Sequence, residues 1–261
     1  MKRTLIKEIA DHLPYEIARL LDGATLYDSS SSPDARVWLI DRDGGCFLKR
    51  NAVGRLKKEA EMTAYFHKKG LASEVLYYAS EGDYDYLLTS RLKGEDATDR
   101  RSLAEPRRLA VLLGESLRAL HEGDFSDCPI PDHTSSYLAL AKENCEKGLF
   151  DPSYAETYGI KTAKEAREIL SSGQGSLRRE VLLHGDFCLP NVILSDFSLS
   201  GYIDLGNGGV GDRHVDLFWG IWSLTYNLKT DAYREVFIDA YGRELLDFDR
   251  LKTVAAAETF G

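Results

Sequence analysis

The periodicity of this chain changes once, near residue 92, and that change limits the folds open to it. Upstream, short apolar runs alternate with turn residues. Val37 and Leu39, then Cys46 and Leu48, flank the turn Asp43-Gly44-Gly45 and predict a hairpin. Val75–Ala79 and Tyr84–Ser90 predict a second pair of strands. Between the pairs, GRLKKEAEMTAYFHKKG (residues 54–70) reads as a helix with Gly70 as its stop. Residues 4–21 space Leu5, Ile9, Ile17 and Leu20 in a weakly helical pattern that Pro14 interrupts. Downstream the repeat is helical: Leu109, Leu112, Leu113, Leu117 and Leu120 mark one helix over Pro106–Glu122. Further helices are expected over 135–148, 162–171, 213–228, 231–241 and 248–258. Short apolar strands are expected at Val181–His184, Val192–Leu194 and Ser200–Asp204. The pattern is that of an α+β chain in two lobes around a cleft, a small β-rich lobe over 1–91 and a larger, mostly helical lobe over 92–261.

Composition removes several classes of function. A chain of 261 residues with 43% hydrophobic content can bury a core, and its formal charge of −9 argues against a nucleic-acid surface, which would be basic. The same charge suits a cationic small molecule. No run approaches the roughly 20 apolar residues that span a bilayer. MKRTLIKEIADHLPY lacks the continuous apolar stretch of a secretory signal. Cys46, Cys128, Cys145 and Cys188 form no CxxC pair, so the expectation is a cytoplasmic protein with reduced thiols and no membrane partner.

The chemistry concentrates in VLLHGDFCLPNVILSDFSLSGYIDLGNGGVGDRHVDLF, residues 181–218. Asp186 follows an apolar strand, where a carboxylate can take or orient the proton of a substrate hydroxyl. Asn191, five residues on, offers an amide oxygen to a hard cation. Asp204 lies between Ile203 and Leu205, an apolar setting in which a carboxylate needs a partner. One carboxylate for the acceptor and an amide plus a second carboxylate for Mg²⁺ is the layout that phosphoryl transfer needs. A hydrolase using His184, Asp186, His214 and Asp216 around a metal is the alternative, but it leaves Asn191 without a purpose. Cys188 has no base spaced to activate it and reads as a lining residue.

These residues resemble the catalytic and metal-binding motifs of the aminoglycoside phosphotransferases, a branch of the protein-kinase-like fold. HGDFCLPN and IDLGNGGVGDRHVDL carry the likeness, supported by Ser116–His133 and Lys142–Asp151, and it is closest to the 3′-phosphotransferase group. The resemblance implies that Asp186 is the catalytic base and that Asn191 and Asp204 ligate Mg²⁺. Lys49, in FLKR, resembles the strand lysine that contacts nucleotide phosphates. Glu59 resembles its ion-pair partner, with Glu61 as the alternative. Ser30, Ser31 and Ser32 take the place of a glycine-rich phosphate loop. Backbone groups at Ser90 and Leu92 resemble the hinge that reads adenine. The implied cofactors are ATP, with GTP as the other candidate, and Mg²⁺.

The acceptor side matches less well. Asp151, Glu156 and Glu258 are the candidate contacts to a cationic aminoglycoside. The family's C-terminal acidic pair is represented by Glu258-Thr259-Phe260-Gly261. Where an acidic pair is expected in the helix after Asp216, this chain has Ser223-Leu-Thr-Tyr-Asn227, and Asn207 replaces an expected arginine. The expectation is an ATP-dependent phosphotransferase acting on an aminoglycoside hydroxyl and conferring resistance. A kinase of another hydroxylated metabolite and a nucleotide-binding regulator without turnover are the alternatives.

Overall fold

The computed structural model describes residues 3–9, 13–30 and 35–261, and the chain packs as two units. The first comprises Met1–Asp99 together with Pro190–Asn207, a segment that a linear reading assigns to the second lobe. The second comprises Arg100–Leu189 and Gly208–Gly261.

The first unit is built on a six-stranded antiparallel sheet: β1 (Thr4–Ile6), β2 (Thr25–Asp28), β3 (Arg36–Asp41), β4 (Cys46–Ala52), β5 (Val75–Glu81) and β6 (Tyr84–Ser90), in the order β1-β2-β3-β4-β6-β5. Alternation along the strands gives its two faces different work. Trp38, Leu48 and Leu88 are register partners in adjacent strands and join Leu26, Ile40 and Tyr86 in one buried cluster. Leu13 and Ile17, the latter on the short helix α1 (Tyr15–Ala18), cover that face. The opposite parity puts Val37, Lys49 and Leu87 in register, flanked by Phe47 and Thr89. The helix α2 (Lys57–Lys68) packs on this second face through Ala60, beside Leu56 and Leu87. The helical pattern expected across 4–21 is replaced by β1 and α1. The Leu5/Ile9 spacing is compatible with a helix, but pairing with β2 overrides so weak a pattern.

A two-residue strand β7 (Glu95–Asp96) ends the unit's first segment. The chain passes through β8 (Val181–Leu183) of the second unit and returns with β9 (Val192–Ser195) and β10 (Ser198–Tyr202). β10, β9 and β7 form a three-stranded antiparallel sheet. Gly94 is essential to this joint: its φ is +110°, and a Cβ there would lie 2.1 Å from the Leu194 carbonyl oxygen.

The second unit is mostly helical: α3 (Arg100–Ala104), α4 (Pro106–His121), α5 (His133–Glu146), α6 (Ala163–Gly173), α7 (His214–Leu228), α8 (Arg234–Tyr241) and α9 (Phe248–Glu258). Pro106 opens α4 at a position where a missing N–H costs nothing. Its leucines Leu109, Leu113 and Leu117 are buried on one face. Gly114 lets α4 and α8 approach closely, since a Cβ would meet the Phe237 carbonyl oxygen at 2.5 Å. A reciprocal Thr162–Glu165 capping box starts α6. β8 pairs antiparallel with β11 (Gly209–Gly211), so the strand before Asp186 is anchored by the residues that lead into α7. Among the described residues, no helix is long and apolar enough to cross a membrane.

Candidate active site

Lys49 sits at the middle of the sheet's second face, and two carboxylates converge on it. Its Nζ is 2.7 Å from Glu59 Oε2 on the first turn of α2, and 2.8 Å from Asp204 Oδ1 after β10. Burial alone would lower the pKa of the ammonium; Glu59 and Asp204 outweigh it and hold Lys49 charged, above the ordinary lysine range. Glu61 instead faces Lys57 at 4.0 Å on the exposed side of the helix. Asp204 has φ +61°, a left-handed conformation that few residues other than glycine adopt. Such strain is common where a side chain must be aimed, and here the carboxylate is aimed at Lys49. The Ile203 N–H donates to the Asn191 carbonyl at 3.0 Å, tying the segment before Asp204 to Asn191.

Lys49, Glu59, Asn191 and Asp204 all line one cavity of about 190 Å³, formed entirely within the first unit. Its apolar walls are Val37, Phe47, Leu87, Leu92, Ile193 and Ile203, and its polar rim includes Ser29, Thr89, Arg91 and Glu95. A cavity with apolar walls that also presents an ammonium and oxygen donors suits a heterocyclic base joined to phosphates. The oxygen donors of Asn191 and Asp204 suit a hard divalent cation, and Lys49 engages only one oxygen of the Asp204 carboxylate.

Of the three serines expected to meet phosphate, Ser31 and Ser32 lie outside the described residues. Ser30 is committed to its own turn: its N–H donates to Asp28 Oδ1 at 2.8 Å and its Oγ accepts from the Val37 N–H at 3.0 Å. Ser29 lines the cavity in its place. Ser90 is not among the lining residues. It donates its N–H to the Glu74 carbonyl and accepts the Glu74 N–H on Oγ, each at 2.9 Å, while Thr89, Arg91 and Leu92 beside it do line the cavity. Sequence reasoning missed Phe47, although strand alternation from Lys49 places it on the same face. It also missed Arg3, whose guanidinium lies 5.9 Å from the Phe47 ring centre and pairs with Glu95 at 3.5 Å. No local pattern marks Arg3, because its partners are distant in sequence.

Asp186 belongs to the second unit, in the loop after β8, and Asp216 holds that loop. The Asp216 carboxylate accepts the N–H groups of His184 and Gly185, both at 2.8 Å, and meets His121 Nε2 at 3.1 Å. Burial would raise its pKa; the hydrogen bonds from His121 and from the His184 N–H outweigh this and keep Asp216 below the usual carboxylate range. Burial likewise holds His121 below its ordinary pKa. Asp186 is partly exposed, and its carbonyl accepts the Cys188 N–H at 2.7 Å. Burial, with Asp186 next to it, pushes the Cys188 thiol well above its ordinary range, so it is no nucleophile. His214 is also engaged. Its Nδ1 is 2.6 Å from Asp212, and its Nε2 accepts the Asp247 N–H at 2.9 Å, which leaves it unsuited to metal hydrolysis. Glu180, Asp212 and His214 cluster at ligand distance, but Arg213 and Arg250 neutralise the two carboxylates.

The acceptor candidates differ in setting. Asp151 is exposed and caps the turn Pro152–Tyr154 through a 2.9 Å bond from the Ser153 N–H, which lowers its pKa. Glu156 is exposed at the start of the next turn. Glu258 is buried in α9. Tyr137 donates to it at 2.9 Å, the Trp219 indole donates as well, and burial pushes its pKa up to about 7.

Comparison with known proteins agrees with this geometry. Residues 24–253 match the model of the phosphotransferase enzyme family. A probable aminoglycoside 3′-phosphotransferase of Lactococcus lactis subsp. lactis (strain IL1403) is 44% identical over 261 residues, 99% of this chain and 100% of the relative. The crystal structure of an aminoglycoside-3′-phosphotransferase of type VIII superposes with a TM-score of 0.74 at 23% identity, covering 90% of this chain and 91% of the other. An aminoglycoside phosphotransferase from Streptomyces rimosus in complex with ADP and streptomycin gives 0.70 at 22% identity, with 90% of each chain covered. The α+β architecture is therefore the protein-kinase-like one of these enzymes. With a half-buried lysine between two carboxylates, an aspartate poised after β8 and a match that spans nearly its whole length, the chain belongs to the phosphotransferase enzyme family.

Proposed function

We propose that this protein is an ATP-dependent aminoglycoside 3′-phosphotransferase that inactivates the antibiotic in the cytoplasm and so confers resistance. The observation that carries the reading is Lys49 bonded at once to Glu59 and Asp204 in the wall of a cavity with apolar sides. The 44% identical relative supports the aminoglycoside acceptor, and the complex of the Streptomyces rimosus enzyme supports a nucleotide.

The division of labour follows residue by residue. The unit of Met1–Asp99 and Pro190–Asn207 serves as the nucleotide-binding lobe, and that of Arg100–Leu189 and Gly208–Gly261 carries the catalytic aspartate and the acceptor contacts. Phe47, Leu87 and Leu92 receive the base, and backbone near Ser90 and Leu92 reads its edge. Ser29, Ser31, Ser32 and Lys49 bind phosphate oxygens, Ser30 being held in its own turn, and Glu59 keeps the Lys49 ammonium in position. Asn191 and Asp204 would hold Mg²⁺, which when bound neutralises charge on the phosphate oxygens. Asp186 orients the acceptor hydroxyl and takes its proton as the oxygen attacks the γ-phosphorus and the bond to ADP breaks. Asp151 and Glu156 provide anionic contacts for the acceptor's ammonium groups, and Glu258, enclosed by Tyr137 and Trp219, would have to shed its proton to join them. The negative net charge of the chain, −9, favours the approach of such a polycation.

The test is phosphate transfer from Mg-ATP to kanamycin and neomycin by the purified protein, followed by mass spectrometry. A mass gain of one phosphate is expected, and unmodified antibiotics would refute the acceptor. Asp186→Asn is expected to cut kcat by about 10²–10⁴-fold, the usual range for a lost general base, while nucleotide affinity stays within about twofold.

A further inference from the structure

The helix α7 ends in a run of aromatic contacts that the transfer reaction leaves unassigned. Trp222 and Tyr226 stack nearly parallel, with an interplanar angle of 10° and ring centres 5.0 Å apart. Tyr154 meets Trp222 at 5.4 Å and Trp219 at 5.5 Å. The row leads toward the catalytic loop: Trp219 donates to Glu258, and Tyr154 lies within electrostatic reach of Glu258, Asp151 and Asp186. At its far end the row reaches solvent, where Tyr226 is 56% exposed. One face of the Tyr226 ring rests on Trp222. Over it, 3.9 Å from the ring centre, lies the ammonium of Lys229, an exposed residue in the left-handed conformation that ends α7.

An aromatic face backed by a second ring is a recognised seat for an ammonium group. Here the protein's own lysine takes that seat, at the place in the chain where the family likeness leads one to expect carboxylates and Ser223–Asn227 supplies none.

We propose that the Tyr226 ring, backed by Trp222, is a cation–π subsite for an ammonium group of the acceptor, and that Lys229 fills it until the acceptor arrives. This inference rests on the aminoglycoside reading above. In this chain π-electron density replaces carboxylate charge at one end of the acceptor site, with Asp151 and Asp186 at the other. Because binding displaces Lys229, the lysine acts as an internal competitor. Removing it strengthens binding, whereas removing the ring weakens it.

The experiment is titration of the full-length protein with neomycin and kanamycin in the absence of nucleotide, followed by the fluorescence of its tryptophans, two of which lie in the row. Tyr226→Ala is expected to weaken binding about three- to fivefold, the size of an exposed cation–π contact. Tyr226→Phe, which keeps the ring, is expected to restore it. Lys229→Ala is expected to tighten binding about two- to threefold, an effect of opposite sign that a merely structural role for either residue would not produce. Dissociation constants that are the same in all three variants and the unaltered protein would overturn the subsite. So would weaker binding in Lys229→Ala. Phosphorylation of the same antibiotics by the unaltered protein separates the two claims. Transfer with unmoved constants sinks the subsite alone, whereas neither binding nor transfer sinks both. If Tyr226→Ala fails to fold, the Lys229→Ala and Tyr226→Phe pair decides the matter.

Discussion

Two carboxylates share one ammonium at Lys49, and the sharing makes the position sensitive. Glu59→Gln keeps the shape of the side chain and removes its charge. A charge-assisted hydrogen bond contributes about 1.5–3 kcal/mol, so kcat/KM for the nucleotide is expected to fall about 10- to 100-fold. Steady-state kinetics with ATP varied checks this, and an unchanged value would show that Asp204 alone positions the lysine. Glu258 makes a different demand. Its carboxyl is ordinarily near 4.5 and rises to about 7 in the fold because it is buried. The folded state then holds a proton that the unfolded chain releases between those values. Its contribution is present below pH 4.5 and is lost as pH rises through about 7. Glu258→Gln should therefore gain melting temperature relative to the parent as pH is raised across that window. Parallel melting curves at every pH would contradict the buried carboxyl. Much of this residue-level geometry is legible in the sequence, since Asp186, Asn191 and Asp204 stand just outside strand ends beside distinctive neighbours and Lys49 lies on an alternating strand. Ser29 and Arg3 are not legible: one depends on the exact course of a loop, the other on a partner 92 positions away.

Among the elements, the small β7–β9–β10 sheet is the most exposed to a single substitution. Gly94→Ala would push a methyl into the Leu194 carbonyl from a backbone angle that side chains rarely adopt. A loss of about 2 kcal/mol or more is expected in chemical denaturation, together with weaker nucleotide binding, because Gly94 lines the cavity. A variant as stable as the parent would mean that the β7–β9 pairing yields easily. The strands β3 to β6 and the long helices are readable in advance because their periodicity is sustained. β7 and β11 are not, being two and three residues long. β1 escapes for another reason: Leu5 is 66% exposed, so the apolar residue that suggests a helix face buries little. Glu258, a candidate acceptor contact in the sequence, is enclosed by Tyr137 and Trp219, neighbours that only the tertiary fold supplies.

On the scale of the whole molecule, the first unit is assembled from two pieces of chain, Met1–Asp99 and Pro190–Asn207. A fragment ending at Asp99 would lack β9, β10, Asn191 and Asp204. It is expected to show greater protease sensitivity than the full chain and no stabilisation by Mg-ATP, as read by limited proteolysis and thermal shift. A fragment that binds nucleotide as the full chain does would refute the two-piece unit. The same feature sets a schedule on the ribosome. When Asp99 leaves the exit tunnel, Lys49 can meet Glu59 but Asp204 is still unmade. Roughly a hundred residues remain to be translated, which at about 5–20 residues per second is a wait of about 5–20 s. Throughout that wait Phe66 lacks the Tyr202 ring that meets it 6.2 Å away and β7 lacks its partner β9, so the growing chain offers chaperones a timed target that the finished enzyme no longer presents.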